Sequence, residues 1–482
     1  MTVTKPKMRG WNDMGKWKKC WAICLALTLT LCVPSMAQET DRPASVMNAE
    51  CKFRVSEGKS APLTDEDLET VWAPSKKGAR FLVELPDEGA GYLALRWQNS
   101  PGAHTVTQYD AEKKEVAKIE YAAGACYLDQ AYELHPGARY VLVTLTDSGE
   151  KVAGAEVYTK GTLPEEFTRW LGQYGKSDLI VVAPRQGDEY ALFGGLLPYY
   201  QIVLDKNVQL VYMTDGGRAK RMAALDGLWA IGEKNYPMFL DFPDKQADST
   251  KACLSQWGGK DALLEPLVAS IRRSRPEVIV SCSIQEGSGD AVDMLTATAM
   301  QYAIDAAADK TQYPDSAEAY GAWQVKKLYL LGGDTCPLTL DWTTPAEALG
   351  GATPLETANL GYSALAANAA LDASSATFSL MFSRIGDDVR HDDFFENLTG
   401  LDSFTPEPTA TPEPTAAPTM EAVLVFSPAP EDSQAPRVET GDATAFGGTT
   451  LLVVKVVALG LGALVLLTCL QALIYRFRRR RR

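Results

Sequence analysis

The chain has 482 residues, 46% of them hydrophobic, and a formal net charge of −14; that is apolar enough to rule out a wholly disordered chain and long enough for two or three domains. With +5 in residues 1–37 and +6 in the last seven residues, the stretch between them carries −25. A surface that acidic repels phosphate backbones and excludes nucleic acid as a partner.

In chain order, residues 1–37 begin with Lys5, Lys7, Arg9, Lys16, Lys18 and Lys19, continue through the apolar run WAICLALTLTLCV and reach SMA before Gln38. Charge, apolar core and small residues in that order predict a secretory signal cleaved after Ala37. From 48 to 160, short alternating runs such as ARFLVELP, GYLALRWQ and ARYVLVTLT are separated by Pro, Gly and Asp turns. That pattern predicts an all-β sandwich. Trp72, Tyr92, Trp97 and Tyr109 are of a type that stacks on sugar rings, but alternating aromatics in a sandwich are read first as core.

From 163 to 398 strands alternate with helices: DLIVVAP, then ALFGGLLPYYQIVL, VQLVYMTDGG, a helix from Ala219, EVIVSCS, a helix from Ala291, and KKLYLLG. Such alternation predicts a parallel sheet with helices on both faces and a ligand site at the C-terminal strand ends. The turns RQGDE, TDGG and SCSIQEGSGDAVD fall at such ends. A Pro-rich stretch, 403–442, contains TPEPTATPEPTAAPT and predicts an extended stalk of a kind common on Gram-positive surface proteins. The uncharged run Val456–Tyr475 and six following arginines predict a transmembrane helix within 451–475 and a cytoplasmic tail at 476–482. RVETGD at 437–442 resembles a sortase signal, with Arg437 and Val438 departing from its pattern. These features together describe a single-pass protein anchored in the cell membrane with its N-terminal region extracellular. Five cysteines lie between the ends, and Cys51 with Cys126 and Cys253 with Cys336 are within-domain pairings that an oxidising exterior would permit.

The stretch LTDEDLETVWAPSKKGARFLVELP is similar to the start of discoidin-like, galactose-binding-like jelly rolls. The segment order over 163–398, with MTDGGRAKRMAAL and the closing FSLMFSRIGDDVRHDDFFENL, resembles the PIG-L/LmbE-like N-acetylglucosamine deacetylases. The resemblance implies a Rossmann-like α/β deacetylase domain behind a jelly-roll sandwich, and zinc as the family's cofactor. It places Arg185 where the family has a ligand His, Gly187 at the general base and Asp188 at a ligand Asp. Asp290 falls at the oxyanion His and Asp293 at the second ligand His, so the catalytic positions Gly187 and Asp290 carry no catalytic side chain of the expected type.

The chain has three histidines, His104, His135 and His391, none near these motifs, whereas a catalytic zinc is most often held by His. Arg185 suggests an alternative, because a guanidinium keeps its proton and offers a rigid fork of donors to Asp188 and Asp293. Another possibility is calcium or magnesium held by Asp188, Glu189, Glu286, Asp290 and Asp293. A plainer one is that the acids are solvated loop residues. Asp215 and Arg221 are expected on a polar rim of the same pocket, as binding residues with Glu189 and Glu286. The function expected from all of this is a membrane-anchored surface protein whose deacetylase-like domain has lost its zinc ligands and binds glycans or cell-wall polymers, or acts as a scaffold, without catalysis. The alternative is an active N-deacetylase with a rearranged metal site.

Overall fold

The computed structural model describes residues 42–398 except 174, 286–288 and 367–368. The expected signal, stalk, membrane span and basic tail all lie outside these residues, as does Glu286. Among the described residues no helix is long and apolar enough to cross a membrane. The expected fold class is corrected on this point: the architecture is mixed α/β with no membrane helix among the described residues. The transmembrane and surface-anchored character, the single-pass localisation and the membrane as partner lose their support with it.

The N-terminal module is a two-sheet sandwich. Strands β1 (Lys52–Val55), β2 (Arg80–Glu84), β3 (Tyr92–Trp97), β4 (His104–Tyr109), β5 (Glu115–Tyr121), β6 (Asp129–Glu133), β7 (Tyr140–Leu145) and β8 (Val152–Tyr158) form sheets ordered β1-β2-β7-β4-β5 and β6-β3-β8. Successive side chains of a strand point to opposite faces. Phe81, Val83, Val141 and Val143 therefore enter the core between the sheets, while Leu82, Leu142 and Tyr109 make a small cluster on the outer face. Trp72, Trp97 and Tyr109 are buried in this module, and the Trp72 indole donates to Glu57 O at 2.8 Å. Cys51, Cys126, Cys253, Cys282 and Cys336 are all free thiols, so neither of the disulfides considered from sequence forms.

The second module is a seven-stranded sheet of order β11-β10-β9-β12-β13-β15-β14. Its strands are β9 (Leu179–Ala183), β10 (Val208–Asp215), β11 (Met238–Pro243), β12 (Val278–Ser281), β13 (Lys327–Leu331), β14 (Pro337–Asp341) and β15 (Ser375–Ser383). The first five in spatial order run parallel, and β15 and β14 add antiparallel. β9, LIVVA, is buried at every position, because it lies at the centre of a sheet covered on both faces. Leu179, Val181 and Ala183 enter one core and Ile180 and Val182 the other. Helix α1 (Arg218–Ala230) packs on the first face, and α2 (Lys260–Ser274) and α3 (Ala291–Ala308) on the second. The chain moves outward from β9 through β10 to β11 and then returns to place β12 on the other side of β9. That reversal opens a crevice at the C-terminal ends of β9 and β12.

The end of the module is tied down by charge. Lys327, fully buried, pairs with Asp388, which also accepts from the Tyr329 hydroxyl. The Glu396 carboxylate accepts from the backbone N–H groups of Val389, Arg390 and His391 at 2.7–2.9 Å. Burial works to raise its pKa, but those three donors hold it down at about 2.

Candidate functional site at the sheet ends

The turn after β9 is fixed to β10 before any functional side chain is placed. Thr214 donates to Pro184 O through both its N–H (3.1 Å) and its hydroxyl (2.9 Å), and the Gln186 amide donates back to Thr214 O at 2.8 Å. Gly187 then turns the chain at φ 103° into the short helix Asp188–Ala191. A residue with a Cβ would be strained in that left-handed region, so the position expected for a general base is one that the backbone reserves for glycine.

The Arg185 guanidinium is held among three carboxylates. Its Nε donates to Asp244 at 3.0 Å, one terminal nitrogen to Asp293 at 3.0 Å and the other to Asp290 at 2.5 Å. The side chain is 21% exposed, against 26%, 15% and 56% for those three acids, so the Asp290 contact faces water and the Asp293 contact is sheltered. Burial pulls the guanidinium pKa down, but the Asp244 hydrogen bond and the charges of Asp290, Asp244 and Asp293 outweigh it and raise the value. Asp188, expected at the guanidinium, instead accepts from the backbone N–H of Arg185 at 2.9 Å. Burial, and next the Asp293 charge, push its carboxyl up to about 6 against the opposing pull of Arg185.

Asp290 and Asp293 serve the fold as well as the cluster. They form a capping box on α3: Asp290 Oδ1 accepts from the N–H groups of Val292 and Asp293, and Asp293 Oδ2 accepts from the N–H of Asp290. Each thereby satisfies otherwise orphaned donors at the helix start, and each presents its remaining oxygen to Arg185. Asp244 was not anticipated from sequence. It follows the last residue of β11, and all C-terminal ends of parallel strands share one edge, so strand position was the signal that could have found it.

Glu189 lies beneath the turn and is 0% exposed. Its Oε2 accepts from Gly187 N at 2.6 Å, while its Oε1 has no hydrogen-bond partner among the described residues. Burial drives its carboxyl up to about 8, more than the Tyr212 hydroxyl and the nearby backbone donors can offset. The Tyr190 hydroxyl, also buried, has no hydrogen-bond partner among the described residues. Cys282 is buried, donates to Asp293 O at 3.0 Å, and has its thiol pushed up to about 12 chiefly by burial. It is no nucleophile at neutral pH.

Asp215 and Arg221 do not rim this site. Arg221, 0% exposed, pairs with Asp215 and Asp241 at 2.6 Å each, reaches the Ser100 hydroxyl of the sandwich at 3.4 Å, and lies over the Phe239 ring at 5.1 Å. Arg218 beside it donates to Trp97 O at 2.6 Å and to Asp129 at 2.5 Å. The Tyr236 hydroxyl accepts from Leu128 N at 3.1 Å. The expected rim is thus the junction at which the sandwich is bolted to the α/β module. Among the described residues, no group of three or more His, Cys, Asp or Glu side chains is arranged to hold a metal ion.

No protein-family model matches the sequence, and no curated protein does. Partial structural likenesses exist. A conserved protein of Thermus thermophilus aligns at TM-score 0.29 and 15% identity, covering 39% of this chain and 78% of that one. The N,N'-diacetylchitobiose deacetylase of Pyrococcus horikoshii aligns at TM-score 0.31 and 12% identity, covering 39% and 70%. A fucose-binding module of Streptococcus pneumoniae aligns at TM-score 0.19 and 20% identity, covering 22% and 89%. Likenesses this slight leave the argument to the residues. The function expected from sequence is corrected on both of its parts. No helix among the described residues anchors the chain in a membrane, and with no family model matching, nothing gives this chain a zinc site that it could have lost. The glycan and cell-wall partners rested on that reading and go with it.

Proposed function

We propose that this is a non-hydrolytic, two-module binding protein whose sheet-end site is filled by its own cation. The observation that carries the reading is the Arg185 guanidinium donating to Asp244, Asp290 and Asp293 at once. Hydrolysis of an amide needs a base and an electrophile that a substrate can reach. Here the acids are neutralised by a group that cannot give up its proton, and Asp290 and Asp293 are committed to capping a helix. No imidazole stands in for them: His104 is buried in the sandwich against Tyr132 and Gly102, His135 belongs to the same module, and His391 lies in the closing segment held by Glu396. The motif order over 163–398 and the stretch 63–86 supply kinship with the PIG-L/LmbE-like deacetylases and with discoidin-like modules as part of this proposal. The test is to incubate the full chain with N,N'-diacetylchitobiose while measuring acetate release and protein-bound metal. No release above a heat-inactivated control is expected. Acetate release accompanied by one metal ion per chain would overturn the reading.

A further inference from the structure

A cavity of about 340 Å³ opens between the two modules. The sandwich contributes loops containing Ser100 and Gly124, and the α/β module contributes β11 and one side of α2. Its volume suits a compact small molecule, and three features of its wall point to a ligand.

Arg273 lines the cavity from the last turn of α2 and makes no ion pair or hydrogen bond with the described residues. Its neighbour Arg272 shows the contrast, being fully buried with donors committed to the carbonyls of Ala306, Ala307, Asp309, Gln312 and Tyr313. A helix C-terminus favours a cation, but that does not explain a guanidinium left unpaired on a cavity wall. Opposite in kind, Gln173 Oε1 is a buried acceptor without a hydrogen-bond partner among the described residues, while the nitrogen of the same amide reaches Pro237 O at 3.4 Å. Buried polar atoms are almost always satisfied. Finally, β11 is irregular at this wall: the register with β10 shifts after Tyr212, and Asp241 sits at φ 62°. Its carboxylate is clamped by Arg221 and by the N–H of Ser100 at 3.2 Å. A non-glycine residue kept in that region costs free energy and persists where the surroundings enforce it, often at a binding site. Tyr236, Met238 and Leu240 supply an apolar wall between the two polar features.

We infer that the junction cavity binds a small organic carboxylate with an apolar body and one hydrogen-bond donor. The carboxylate lies on Arg273, the donor meets Gln173 Oε1, and the body packs along Tyr236, Met238 and Leu240. The site is incomplete without the sandwich loops, which gives the Arg218 and Arg221 clamps a purpose beyond stability. This inference goes beyond the reading of the Arg185 site and does not depend on it, since a protein that did release acetate could carry the same cavity.

The test uses the full chain and three probes, 4-hydroxybenzoate, phenylacetate and indole-3-acetate, with phenylacetamide as the uncharged control, titrated by isothermal calorimetry and ligand-observed NMR. At least one carboxylate is expected to bind saturably below 10 mM on the ~1 mM scale usual for fragments. The amide and the Arg273→Ala protein should each weaken that binding about tenfold or more, as expected for losing a charge-assisted pair. Arg273→Lys should retain part of it, and an unchanged thermal melt for both variants shows that folding is intact. Absence of saturable binding by all three carboxylates, or binding that Arg273→Ala leaves unchanged, would overturn the inference.

Discussion

Replacing Glu189 by Gln tests the electrostatics under the sheet-end site most directly. The native carboxyl is 0% exposed, accepts one backbone N–H and has its pKa raised from 4.5 to about 8. The groups facing it are the hydroxyls of Tyr212 and Tyr190 and the carboxylate of Asp188. Because the folded pKa lies above the unfolded one, the folded state binds the proton more tightly. The stability this confers is full below about pH 4.5 and is lost as pH rises through 8. At about 1.36 kcal/mol per pKa unit, the loss between pH 5 and pH 9 comes to about 4 kcal/mol. Glutamine is isosteric, can still accept from Gly187 N, and never ionises. Urea unfolding of both proteins at pH 5, 7 and 9 should show stability falling steeply in the wild type and much less in Glu189→Gln. The variant should then be the more stable protein at pH 9. Asp188 contributes a similar fall up to about pH 6 in both proteins, so the difference between the curves isolates Glu189. Parallel curves would refute the claim that this buried carboxyl is neutral at physiological pH.

Two other substitutions probe the arginines. Arg185→Ala leaves Asp293 sheltered without its partner and should cost about 2 kcal/mol in urea unfolding at pH 7. Arg185→Lys should recover less than half of that, because one ammonium cannot match three carboxylates with the geometry of a guanidinium fork; full recovery would show that only charge matters. Arg221→Met strands Asp215 and the partly buried Asp241 at the module junction and should cost about 2–3 kcal/mol. Calorimetry should show one unfolding transition in the wild type and two in the variant as the sandwich uncouples, and an unchanged trace in the variant would count against the clamp.

What the sequence by itself determined is what short-range periodicity encodes. LIVVA reads as a buried strand because its five apolar residues must serve two faces of one sheet, and the cores on either side of β9 divide those residues alternately. The glycine in RQGDE and the acid at the start of α3 are equally local, the first fixed by a left-handed turn and the second by a helix cap. Tertiary structure decided everything that depends on what covers what. Asp244 joins Arg185 across 59 residues and Asp290 across 105, and only the order of strands brings them to one edge. Arg221 looks like a pocket residue in its own motif, yet it is buried because another module, more than a hundred residues away in the chain, closes over it. Hydrophobic patterning states which face of an element must leave water, but it does not say which partner takes water's place. That partner is chosen by the summed packing of the whole chain, and here it turned a supposed rim into a clamp between modules and placed a cavity where no motif had pointed.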